Sequence, residues 1–83
     1  MITLEDFKQA SFDKKCHVVT ADSEYMTMRK VGECKVYLYF ADDFFIEVYY
    51  SSKYKKVLMI HAFNKMEDLM PYVDNVSLEG LGL

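Results

Sequence analysis

A chain of 83 residues can bury one sizeable core but not two, so a single domain spanning residues 1–83 is expected. With 52% apolar and 16% aromatic residues, three glycines, one proline and two cysteines, the composition excludes intrinsic disorder and a disulfide-dense scaffold. A net charge of −3, with Lys14-Lys15, Arg29-Lys30, Lys53 and Lys55-Lys56 interspersed among acids, argues against a nucleic-acid partner, which needs clustered cations to displace counterions.

The first residues lack the basic start and apolar stretch of a signal peptide, and no run approaches the ~18 apolar residues of a membrane span. A cytoplasmic protein without a membrane partner is expected, with Cys16 and Cys34 as reduced, buried thiols.

Thr3 and Asp6 have capping-box spacing, which starts a helix at Leu4. Ile2 and Phe7 form the matching hydrophobic staple, Leu4, Phe7 and Ala10 share one stripe, and the helix ends near residues 11–13. From Cys16 the apolar period changes to two, with β-branched and aromatic residues dominating. Strands are predicted at residues 15–21, 25–31, 34–41, 45–50 and 56–63, the first the least regular. The short breaks at 22–24, 32–33, 42–43 and 51–53 imply hairpins and hence a meander. Asn64 and Glu67 repeat the capping logic for a second helix, with Met66, Leu69, Met70 and Val73 at helical spacing and Pro71 as its kink or end. Residues 76–83 read as a loosely ordered tail. The fold class is therefore α+β: an N-terminal helix, an antiparallel meander of four to five strands, and a C-terminal helix packed on one sheet face.

Alternation within the strands divides the residues into two sets. Val36, Leu38, Phe40, Ile46, Val48, Leu58, Ile60 and Ala62 read as the core face, and equal parity across each pair requires a three-residue loop at Asp42-Asp43. That register sets Tyr39 opposite Glu47, Tyr37 opposite Tyr49, Phe45 opposite His61 and Glu47 opposite Met59. Both helices are assigned to the core face. The odd face is then left with Tyr25, Tyr37, Tyr39, Phe45, Tyr49, Val57, Met59, His61 and Phe63, with Thr27, Arg29 and Glu47 among them, an apolar patch above the ~300–600 Å² found on most monomers.

Such a patch implies a partner, and a closed two-fold pairing is the commonest oligomer. The functional expectation is a small protein-interaction module that self-associates through Tyr37, Tyr39, Phe45, Tyr49, Met59 and His61. The alternative is a small-ligand binder or minor enzyme in which His61, Glu47 and Tyr39 supply acid–base chemistry. No nucleophile motif, phosphate loop or oxyanion device accompanies these three. Cys16, His17, Cys34 and His61 lack paired-ligand spacing, so neither metal nor cofactor is expected.

Overall fold

In the computed structural model of the protein, residues 2–73 are described, and the tail expected at residues 76–83 lies outside them. Thr3 Oγ1 accepts from the Asp6 amide at 3.1 Å, starting α1 (Leu4–Gln9) where the capping pattern predicts. The chain then makes a second helix, not a strand. Ser11 Oγ accepts from the Lys14 amide at 3.1 Å, and α2 (Phe12–Ala21) occupies the stretch predicted as the first strand. Local propensity does not decide it: Val18, Val19 and Thr20 together cost a helix up to ~2 kcal/mol, of which a serine cap offsets ~1 kcal/mol. Burial of Val18 and Val19 adds to the balance, and the Thr20 hydroxyl finds acceptors in the Cys16 and His17 carbonyls.

The remaining four predicted strands are present as β1 (Glu24–Val31), β2 (Cys34–Ala41), β3 (Phe44–Ser51) and β4 (Lys56–Phe63), an antiparallel meander in the order β1-β2-β3-β4. The register between β2 and β3 departs from expectation. Ala41 pairs with Phe44, so Asp42-Asp43 is a two-residue connection, with Asp42 at φ 58°. Aspartate tolerates this left-handed conformation better than most residues. Pairing is consequently of opposite parity: Tyr39 lies opposite Ile46, Leu38 opposite Glu47 and Tyr37 opposite Val48. Between β3 and β4 the expected parity holds, shifted by two residues, from Phe45 opposite Phe63 through Glu47 opposite His61 to Tyr49 opposite Met59; a bulge at Leu58 then changes it, and Tyr50 pairs with Val57.

The parity change mixes the two predicted sets. One face gathers Tyr39 and Ala41 with Phe44, Ile46 and Ala62 beneath Phe7 of α1 and Val18 and Val19 of α2. The Phe7 and Phe44 rings meet at 5.5 Å, and both are fully buried. The other face gathers Leu38, Phe45 and Phe63 beneath Leu69 and Tyr72 of a 3-10 helix, Met66–Tyr72. Full burial of each such side chain is worth ~1.5–3 kcal/mol, which drives a cover onto both faces. The expectation that both helical elements share one face is thus corrected.

The C-terminal element also departs in detail. It begins after Lys65 with no side-chain cap, so Asn64 does not play the predicted part. Three residues per turn align Leu69 with Tyr72, and these two are buried, while Met66, Met70 and Val73 of the predicted stripe are exposed. The architecture is α+β, with an N-terminal helical pair on one side of the meander and the C-terminal helix on the other.

Candidate functional site

The most constrained polar group is on the face under the 3-10 helix. Glu47 points from the middle of β3 into this layer and is only 5% exposed. A carboxylate there must be partnered to offset its lost hydration. The Tyr72 hydroxyl donates to Glu47 Oε2 at 2.5 Å, and Arg29 of β1 approaches the same oxygen at 3.4 Å. The Arg29 guanidinium also lies over the Tyr72 ring, 5.2 Å from its centroid, with Nε buried and unpartnered. Burial pushes the Tyr72 phenol well above its ordinary range; Glu47 adds to the rise and Arg29 opposes it. For Arg29, burial acts against the charge, but the Tyr72 and Glu47 oxygens outweigh it and raise its pKa. Glu47 Oε2 is thus held from both β1 and the 3-10 helix, which makes the three groups a latch for that helix. The sequence marked Arg29 and Glu47 on one face but gave no sign of Tyr72, whose partner is 25 residues away.

His61 is directly across from Glu47 on the same face, yet it is exposed and its ring lies along Phe63, with centroids 5.8 Å apart and planes at 23°. Glu47 spends Oε2 on Tyr72 and Arg29. Tyr39 is on the opposite face, beside Ile46. The fold therefore does not assemble His61, Glu47 and Tyr39 into one site.

The six predicted interface residues are similarly divided. Tyr37 and Tyr39 are on the face that carries α1 and α2. Phe45, Tyr49, Met59 and His61 are on the other face, where Phe45 is fully buried in the core beneath the 3-10 helix.

Among the described residues, the helix-bearing face is incompletely covered. α1 packs on β4, Lys15 of α2 shares a hollow with Ile60 and Ala62, and Ala21 and Asp22 share another with Glu24 and Phe40, at the end of β1 and β2 away from the Gly32-Glu33 turn. Beyond α2, towards the Gly32-Glu33 turn, two rows of side chains follow. One holds Met28, Tyr37, Val48 and Ile60, and the next Lys30, Lys35, Tyr50 and Val57. All of them are half-buried except Lys30, which is exposed. Tyr25 borders these rows at the sheet edge, 55% exposed, with its ring 6.3 Å from Tyr37 and 5.7 Å from Tyr39. Burial raises the Tyr39 pKa, and the neighbouring phenols of Tyr25 and Tyr37 raise it further.

Between α2 and these rows is an apolar hollow of about 180 Å³ lined by Cys16, Val19, Thr20, Tyr39, Val48 and Ile60 together with Val57. Small-molecule sites usually offer ~300–1,000 Å³, so the hollow fits a side chain better than a metabolite. A larger hollow, about 730 Å³, opens at the other end of the molecule; Asp6, Asp22, Asp42 and Lys14 line it, without a histidine or a nucleophile. Cys16 and Cys34 are free and half-buried, short of the full burial expected. Among the described residues no group of three or more His, Cys, Asp or Glu side chains could hold a metal, and no helix is long and apolar enough to cross a membrane. Comparison with family models, curated proteins and solved structures yields no match for the chain.

Proposed function

We propose that the protein is a protein-interaction module that pairs with a second copy of itself through the uncovered part of its helix-bearing face. The observation that carries this reading is the group of tyrosine rings, Tyr25, Tyr37 and Tyr39, bordering half-buried rows in which Met28, Val48 and Val57 stand with Lys30 and Lys35. Tyrosine offers large contact area at low entropic cost and keeps a wettable tip, which suits a surface that is alternately free and covered.

The sheet edges are poorer candidates. Both edge strands carry an irregularity, β1 between Tyr25 and Thr27 and β4 at Leu58, and such bulges blunt strand-to-strand addition. An acid–base function for Glu47 is disfavoured because Tyr72 and Arg29 already hold its carboxylate.

Magnitude sets the strength of the pairing. Four strands ~4.8 Å apart and two rows ~7 Å apart give a footprint of ~270 Å² before the flank of α2 is added. Stable complexes bury ~800 Å² per partner, so pairing belongs to the weak, concentration-dependent class. Sedimentation equilibrium over a wide concentration range tests this: the mass rises toward twice that of the monomer, and Tyr37→Glu abolishes the rise. A mass that stays monomeric at the highest concentration, with Tyr37→Glu without effect, refutes the reading.

A further inference from the structure

We infer that the end of the sheet formed by the β1–β2 and β3–β4 connections docks on an anionic lipid surface. The last cross-strand row at this end is Val31, Cys34, Ser51 and Lys56, and the row before it is Lys30, Lys35, Tyr50 and Val57. Turn residues 52–55, with Lys53 and Lys55, extend beyond both rows. Five lysines from separate parts of the chain thus collect at one end of the molecule, exposed except for the half-buried Lys35. Residues 30–35 and 51–57 contain a single acid, Glu33, so this end has a net charge of +4. Among the described residues none of the five lysines is in an ion pair; the pair present is Arg29–Glu47.

The charge acts locally. Asp22, Glu24, Asp42 and Asp43 are at the opposite strand ends, ~25 Å away, about three Debye lengths at physiological salt. An approaching anionic surface therefore meets the lysines, although the whole chain carries −3. The same separation of charge turns the acidic end away from the surface. The expectation of no membrane partner rests on the lack of an apolar span, which a peripheral contact does not need.

The tip favours lipid over a nucleic acid. Val31 and Tyr54 are 42% and 63% exposed there, an apolar side chain and a phenol suited to the headgroup layer. Lys53 Nζ lies over the Tyr54 ring, 5.4 Å from its centroid, so a cation occupies the ring face on which a base would stack. Lys55 is at φ 53°, a conformation that is costly to any residue with a β-carbon and free to glycine. The chain keeps a cation where glycine would fold with less strain.

Co-sedimentation of the whole chain with vesicles tests the contact, using phosphatidylcholine alone and phosphatidylcholine with about one third phosphatidylserine. The chain should bind the anionic vesicles alone, and leave them as salt rises from about 0.1 M to about 1 M. Each lysine near such a surface strengthens binding about five-fold, so K53E/K55E/K56E should lose ~100-fold or more. K55G removes one cation and the strain together. It should weaken binding about five-fold while the thermal midpoint holds or rises, which separates a lost contact from a lost fold. Tyr54→Ser should weaken binding to the anionic vesicles and leave binding to poly(U), a soluble polyanion, unchanged. Equal binding to both vesicle types, K53E/K55E/K56E that binds as the wild type does, or poly(U) held more tightly than the anionic vesicles overturns the inference, the last by marking a nucleic-acid site. Self-pairing is read separately from the sedimentation mass, and the lipid contact does not depend on it.

Discussion

The Tyr72 hydroxyl donates to Glu47 Oε2 across 2.5 Å, tying the last residue of the 3-10 helix to the middle of β3. The bond joins the C-terminal element to the sheet at a point where both residues are buried. Removing the hydroxyl leaves a buried carboxylate with Arg29 as its remaining partner. Tyr72→Phe is therefore expected to destabilise the fold by ~1–3 kcal/mol, the desolvation cost of an orphaned acceptor. Urea denaturation followed by circular dichroism measures it. Amide exchange should accelerate first over residues 66–72.

The same contact sets an alkaline limit. Burial raises the folded-state pKa of Tyr72 above the ordinary 10.0, so the folded chain keeps a proton that the unfolded chain releases. This stability is complete below about pH 10 and is lost as pH rises through the folded value. Tyr39, also raised by burial, acts with the same sign. The urea midpoint should thus be flat from about pH 7 to 9.5 and fall above about pH 10, less steeply in Tyr72→Phe. A wild-type midpoint flat through pH 11 would contradict this account.

Ser11 is the N-cap of α2. Its hydroxyl satisfies the Lys14 amide at the start of α2. Ser11→Ala should cost ~1 kcal/mol, and Ser11→Asp should restore the loss. Thermal unfolding measures both. Equal stability of the three proteins would mean that the cap contributes nothing to α2.

The Phe7–Phe44 contact joins α1 to the sheet where neither ring touches water. Phe44→Ala should destabilise by ~3–5 kcal/mol, and Phe44→Leu by clearly less because most of the volume is retained. Denaturant midpoints at constant m-value distinguish these losses from a change in the unfolded state.

Much of the fold was legible in the chain. The cap at Thr3, the four strands β1 to β4 and the helical tendency around Met66–Tyr72 follow from local chemistry: a hydroxyl near an orphan amide, alternation of period two, and an apolar stripe. The α2 segment was obscured because Val18, Val19 and Thr20 favour strands, although the Ser11 cap signals a helix start.

The face on which each ring lies was decided by tertiary structure. One left-handed residue, Asp42, closes the β2–β3 connection in two residues where equal parity needed three, and a one-residue change of register turns a strand's whole side-chain set over. That single turn separates Tyr37 and Tyr39 from Tyr49, puts Glu47 beneath Tyr72, and parts it from Tyr39. The pairing of Lys30 with Lys35, five positions apart in the chain, is likewise made by a hairpin. Local sequence fixes which residues alternate, because that depends on neighbours along the chain. Which alternate set is inside depends on how many residues each turn spends, and that is settled by burial across the whole sheet.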